Sequence, residues 1–236
     1  MAQPFRQNTQ VYRPKLFPKL SIAFKGDHIC FQSAGLLHSY SSALWGGGQK
    51  EADCFVNWKV PLQYQSSDPQ RMMCEQLANW GYSIDSSIGL QTAAKLTHAS
   101  IVEEAGDAFR LLCCTTVGTG NRTRAGKFRK TYSAYRCGTI NTFLFIAGHL
   151  MDAAMINAII TATEGKTAAL QDLKITDDDD QFATGTTTDA IVVAAERPGH
   201  DAPVHRYAGT ATTLGNAIGR LVYQTVYEAG STQGDP

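Results

Sequence analysis

A lysine stands where the pattern needs an apolar residue. With successive residues of 150–173 placed about 100° apart around a helix axis, Met155, Ile159, Ala162, Lys166, Leu170 and Leu173 fall on one stripe. An ammonium in the middle of such a stripe must reach solvent along its own stem, find a counter-charge or lose its proton, because burying it unpaired is strongly unfavourable. Two readings are open: a snorkelling lysine, or one aimed into a site where it anchors an acidic partner. Asp189 is a candidate partner, whereas Glu164 falls on the opposite face of an ideal helix.

A second concentration of chemistry lies at 184–189, where Thr184, Thr186, Thr187, Thr188 and Asp189 surround one glycine just before a β-branched run. Backbone N–H groups in such a turn bind an oxyanion, and a threonine hydroxyl becomes a nucleophile when a base is near. An ST-turn leading into an edge strand accounts for the same residues. Asn121 and Asn141, beside Gly120 and Thr139, bring amides to a loop and a strand start, positions suited to a substrate carbonyl or amide as well as to ordinary turns. Arg122, Arg124, Lys127, Arg129 and Lys130, interleaved with Phe128 and Tyr132, form the one basic cluster, which reads as an anion site or as a solvated loop. His200, Asp201 and His205 come nearest to metal-ligand density, but no HExxH, P-loop or strand-borne GxGxxG is present. No metal and no nucleotide cofactor is expected.

The elements that carry these groups come from 236 residues, room for one large domain or two small ones. At 43% hydrophobic and 18% charged, the chain has the composition of a globular protein rather than a disordered or fibrous one. Twenty-one basic residues match twenty-one acidic ones, so no net field draws nucleic acid or an anionic membrane. The first twenty residues lack the apolar core of a signal peptide, and no run approaches the ~18 apolar residues of a membrane span. These features predict a cytoplasmic protein with neither nucleic-acid nor membrane partner. The six cysteines, at 30, 54, 74, 113, 114 and 137, show no CxxC spacing and read as structural thiols.

Polar residues and three prolines predict an extended segment over 1–19. A hairpin around Lys25-Gly26-Asp27 follows, then a strand ending near Pro61 and a helix capped by Ser67 or Asp68 and closed at Gly81. Two strands meet at Gly106-Asp107, and a loop rich in glycine and charge covers 118–130. The strand GTINTFLFIAG runs into the long helix, the acidic run 177–180 forms a solvated loop, and AIVVAA is the last strand. A final helix over 212–229 stops at Gly230, leaving a flexible tail at 231–236. Hairpins first and strand–helix units later predict an α+β fold: a single domain over 20–230, a layered helix/sheet sandwich of two layers or of four in the order αββα.

The block GTINTFLFIAGHLMDAAMINAIITATEGKTAALQDL, followed by FATGTTTDAIVVAA and YAGTATTLGNAIGRLVYQTVYEA, resembles the adenosylcobinamide amidohydrolase family of corrinoid salvage. SAG at 33–35, VNWKVPLQY, GLQTAA at 89–94 and the Gly/Asn/Arg loop at 118–126 agree with it, so the similarity spans about residues 20 to 229. The resemblance implies a hydrolase that cleaves the amide joining aminopropanol to a corrin propionate, giving adenosylcobyric acid for coenzyme B12 synthesis. Its site is then expected to hold Asp189, Lys166, Glu164, Thr187 and Thr188 as catalytic groups, with Asp189 or Glu164 as base and Lys166 as charge partner. Asn57, Asn121, Asn141, Thr186 and Arg124 are expected to bind substrate. A corrinoid is the expected small-molecule partner, and a macrocycle of that width suits an open groove or the interface of a homo-oligomer.

Two residues depart from the family pattern. Gly165 stands where alanine is expected between Glu164 and Lys166, at a cost of ~1 kcal/mol to an isolated helix. Lys127 follows Arg-Ala-Gly where an acidic residue is expected. A distant likeness to the DmpA aminopeptidase and ornithine acetyltransferase group adds a four-layer αββα expectation and a second reading, self-cleavage before one of the threonines at 186–188. A third reading is a non-catalytic corrinoid-binding module built on the glycine-rich loops with Trp45, Trp58 and Trp80.

Overall fold

The computed structural model describes residues 3–61, 67–128, 138–196 and 203–234. β1 (Val11–Tyr12) edges β2 (Leu20–Phe24), which turns at Gly26, where φ is 90°, into the 14-residue β3 (His28–Ser41). β4 (Gly48–Lys59) runs back along β3, with a break in register between Gln32 and Leu37. α1 (Pro69–Asn79) starts as its sequence predicts: Arg71 N donates to the Asp68 carboxylate at 2.9 Å, and Pro69 fills a first-turn position that needs no N–H. β5 (Ser87–Thr92) then lies parallel to β4.

β6 (Ser100–Gly106) and β7 (Phe109–Val117) form the second hairpin. Its turn is Asp107-Ala108, one residue later than expected, because Gly106 stays in the strand with the Phe109 ring lying where its Cβ would be. The stretch after β7 is not all loop, since β8 (Arg122–Thr123) is a short strand. β9 (Ile140–Ala147), β10 (His149–Leu150) and α2 (Asp152–Asp172) follow, then β11 (Gly185–Thr186), which pairs with β8. The chain ends with β12 (Ala190–Glu196), β13 (Val204–His205) and α3 (Thr213–Ser231), whose cap is Thr212. α3 runs past the expected stop at Gly230, where the missing side chain leaves room for Leu173 rather than turning the backbone left-handed.

The nine-stranded sheet has the order β1-β2-β3-β12-β9-β7-β6, with β4 and β5 joined through β3. Beyond its irregularity β3 exchanges β2 for β12 as neighbour, so this strand carries the sheet around on itself. Strand alternation then sorts side chains into successive cores. Leu144 and Ile146 of β9 and Val193 of β12 pack under α2 and α3, while Phe143, Phe145 and Val192 point the other way, against Phe31, Phe55 and Ile88. Cys30, Cys54 and Val56 meet Met73 and Leu77 of α1 on the far side. The α+β class is thus realised as one sheet curled on itself, with a core between its two halves, α2 and α3 against one outer side and α1 against the other. In the N-terminal segment, Phe5 and Phe17 are buried in the inner core.

Gly165 has a packing reason that helix propensity does not register. A Cβ there would stand 2.7 Å from the Gly219 carbonyl oxygen, so α2 and α3 touch backbone to backbone at this point. Gly165→Ala is therefore expected to destabilise the protein by about 1–3 kcal/mol despite alanine's better helix propensity. Thermal unfolding of the two proteins checks this, and an unchanged or raised Tm in the variant would refute it.

Candidate active site

β9 and β12 lie side by side and parallel, with Asn141 opposite Ala190, so the segments entering both strands meet at one end of the sheet. β12 sits between β3 and β9, so the threonine turn feeds a central strand and not an edge one. α2 crosses behind it and delivers Lys166, which is 6% exposed and paired with the Asp189 carboxylate. Of the two readings of Lys166, the snorkelling one is therefore not realised.

Asp189 is held by more than the lysine. Its Oδ2 takes Lys166 Nζ and Thr186 N (3.0 Å), and its Oδ1 takes Ile140 N (3.1 Å) and Thr186 Oγ1 (2.5 Å). Four donors on two oxygens fill the acceptor capacity that an ionised carboxylate offers in this plane. Glycine is required at 185, because a Cβ would overlap the Asp189 carboxylate and lie 2.6 Å from Lys166 Nζ.

Thr187 and Thr188 are exposed, and Asn121 orients both: its Nδ2 donates to Thr187 Oγ1 at 2.7 Å and to Thr188 Oγ1 at 3.2 Å. Thr188 donates to the Gly138 carbonyl (2.9 Å), while Thr139 Oγ1 donates to the Thr188 carbonyl (2.6 Å). The turn is thus gripped by Asn121 on one side and by the β9 entry on the other. Beside it opens a cleft of about 260 Å³ whose wall includes Thr188 and Asn141. Asn141 Nδ2 donates to Asn57 Oδ1 (2.8 Å) and to the Gln91 carbonyl (3.0 Å), and Asn57 Nδ2 donates to Thr116 Oγ1 (2.9 Å). Asn57 therefore supports Asn141 from behind the cleft.

Two expected residues are not brought to this place. Glu164 is exposed on α2, two residues and so about 200° from Lys166 around the helix. Arg124 donates to the Phe182 carbonyl at 2.8 Å and fastens one loop to another. Gln91, which sequence reasoning missed, lines the cleft; it lies inside the GLQTAA block, but a lone glutamine in a strand gives no signal of its own. Among the described residues no group of three or more His, Cys, Asp and Glu side chains is placed to hold a metal ion, and His200 and Asp201 lie outside those residues, as do Arg129, Lys130, Tyr132 and Cys137. No helix among them is long and apolar enough to cross a membrane. Burial pushes the Cys113 thiol up to about 11 and Cys114 well above its usual range, as inert core thiols require.

The acidic run is not simply a solvated loop. Asp177 is buried, its Oδ1 takes the backbone N–H groups of Asp179 and Gln181 at 3.0 Å each, and its Oδ2 meets Lys127 Nζ at 3.3 Å. Lys127 also reaches Asp179 at 3.0 Å, so the lysine that departs from the family pattern ties the Gly/Arg loop to this run. Burial raises the Asp177 carboxyl, but the two backbone donors and the ammonium outweigh it and hold the group below its usual value of 3.8. A lowered native value stabilises the tie above the unfolded value and loses it as pH falls through the lowered one. Hydrogen exchange at Asp179 and Gln181 is accordingly expected to stay protected from neutral pH down to the ordinary carboxylate value and to lose protection only as pH falls through the lowered one; protection already lost above about pH 5 would refute the assignment.

The family model of adenosylcobinamide amidohydrolase matches residues 14–235. The chain belongs to this family, whose name denotes hydrolysis of an amide bond. An adenosylcobinamide amidohydrolase of Methanosarcina mazei is 28% identical over 186 residues, 76% of this chain and 84% of that protein. An uncharacterised protein of Methanocaldococcus jannaschii is 35% identical over 159 residues, 59% of this chain, and the match spans only 61% of that relative's length. Among solved structures, a Burkholderia sp. beta-aminopeptidase superposes with a TM-score of 0.41 at 10% identity over 86% of this chain and 77% of its own.

The buried pair makes an asymmetric prediction about stability. Asp189→Asn strands the Lys166 ammonium and is expected to cost about 3–5 kcal/mol, whereas Lys166→Met leaves Asp189 its three other donors and costs less. Urea unfolding of both variants decides it; equal losses, or the larger loss in Lys166→Met, would contradict this account of the pair.

Proposed function

We propose that this protein hydrolyses the amide between aminopropanol and the corrin propionate of adenosylcobinamide, releasing adenosylcobyric acid. Family membership supports the reaction class. The observation that carries the reading to this site is the hydrogen bond from Thr186 Oγ1 to Asp189, a carboxylate itself paired with Lys166. A hydroxyl whose base is within reach, and whose base is oriented by a third group, is the arrangement that activates an oxygen.

Amide hydrolysis needs an activated oxygen, donors for the developing oxyanion and a proton for the leaving amine. In this reading the Thr186–Asp189–Lys166 relay handles protons. Asp189 takes the Thr186 proton as that oxygen adds to the carbonyl carbon, the C–N bond breaks as the proton passes to the departing nitrogen, and a water activated by the same carboxylate then cleaves the Thr186 ester to release the acid and restore the hydroxyl. Thr187, exposed and oriented by the Asn121 amide, offers its hydroxyl to the substrate carbonyl, while Thr188, tied to the Gly138 carbonyl, shapes the turn beside it. The rival binding module relies on an aromatic face, but Trp45, Trp58 and Trp80 pack around α1, with Trp80 stacked on His28 at 3.8 Å and edge-on to Trp58 at 5.6 Å.

Incubation of the protein with adenosylcobinamide and mass spectrometry for adenosylcobyric acid and free aminopropanol tests the reaction. Thr186→Val is expected to lower kcat by about 10²–10⁴, with Thr186→Ser recovering most of it. If Thr186→Val turns over within threefold of the wild type, the relay is not the proton-handling group.

A further inference from the structure

The cleft beside the threonine turn carries groups that this chemistry leaves unused. Most of its wall is apolar, contributed by residues such as Leu44, Val60 and Leu90, and into that wall are set Gln91 and Asn141. Among the described residues, four buried side-chain polar atoms lack a hydrogen-bond partner: Gln91 Nε2, Asn121 Oδ1, Asn141 Oδ1 and His149 Nδ1. Two of these atoms belong to residues that line the cleft, one a donor and the other an acceptor, both buried behind its surface. Leaving such atoms unmade costs free energy, and they persist in native proteins where something else is to meet them.

The acceptor is fixed in place. Both hydrogens of the Asn141 amide are used, on Asn57 and on the Gln91 carbonyl, so its oxygen has one orientation, and the residue is 1% exposed. The same bond to the Gln91 backbone brings the two residues into contact, joining β5 and β9 although these strands are not paired in the sheet. A carboxamide presents the complement, a carbonyl oxygen and an N–H on adjacent atoms. An ester has no N–H, and a carboxylate has acceptors only, which the Asn141 oxygen would repel.

We propose that Gln91 and Asn141 recognise a carboxamide of the substrate, with Gln91 Nε2 donating to its carbonyl and Asn141 Oδ1 accepting from its N–H. This rests on the amide-hydrolase reading and deepens it by naming the group the cleft selects. Gln91 acts as a specificity residue: it binds the ground state and the transition state alike, so its loss appears in KM and not in kcat.

Two variants test this. Gln91→Met keeps the length of the side chain and removes the donor, and Gln91→Glu keeps the shape and replaces the donor by an acceptor. Gln91→Met should melt within a few degrees of the wild type, because no hydrogen bond in the fold uses Nε2, whereas Gln91→Glu buries a carboxylate oxygen without a donor and is expected to melt lower. In both, KM for adenosylcobinamide is expected to rise about tenfold or more, with kcat within threefold. Should the wild type show no turnover, the hydrolase reading falls by itself, and the Kd for adenosylcobinamide by equilibrium dialysis replaces KM, with the same tenfold weakening expected. Wild-type KM or Kd in both variants, or a large fall in kcat at unchanged KM, would overturn the assignment.

Discussion

Moving the Lys166 ammonium and the Asp189 carboxylate out of water costs several kcal/mol per ion, and their attraction alone offsets this only where the remaining lone pairs are also met. Here they are met by Thr186, through both its N–H and its hydroxyl, and by the N–H of Ile140. That requirement fixes much around it. The residue before Thr186 must be glycine to admit the pair, β11 must pair with β8 to hold the turn closed, and β9 must begin where its first N–H can reach the carboxylate. Replacing such a pair by apolar residues often stabilises a protein, so its presence argues for a role in geometry or chemistry more than for one in stability.

The helix that supplies Lys166 is positioned with comparable strictness. α2 approaches α3 closely enough at Gly165 and Gly219 that no Cβ is tolerated at 165, one residue from the lysine. Close backbone contact leaves few alternative registers between two helices, because sliding one along the other brings side chains into the gap. The glycine that weakens the isolated helix thus serves to place the ammonium. The same economy appears in the loops, where Lys127 joins two segments through the buried Asp177.

What was legible in the sequence follows from what is local. The cap of α1, the Gly26 turn and the strand character of β9 and β12 depend on neighbouring residues, and they were read from them. Lys166 was legible as an anomaly because one charge interrupts an apolar period, and Asp189 was a candidate partner for it. Glu164 was grouped with them by the family motif although the helical period already set it on the other side. The misreadings share a cause: the role of Gly165, the burial of Asp177, the two-residue pairing of β8 with β11 and the place of Gln91 are all set by partners 50 or more residues away in sequence, except Asp177's backbone donors. No window along the chain contains them.

The size of the cleft constrains how a corrinoid would be met. At about 260 Å³ it is smaller than the roughly 300–1,000 Å³ that encloses a drug-sized ligand, so it suits one side arm and leaves a macrocycle outside. Recognition of the arm then has to be done by few groups, and groups on strands do this better than groups on loops because their positions are fixed by the sheet. Asn57, Gln91 and Asn141 are on β4, β5 and β9, and Thr116 behind them is on β7, so the amide-lined wall is braced by four strands of one sheet. The threonine turn, by contrast, is a loop, and it gains its precision from the buried ion pair. On the proposed function, rigid strands would read the arm and a charge-clamped turn would act on it, dividing the work between the two kinds of element that meet at the entry of β9 and β12.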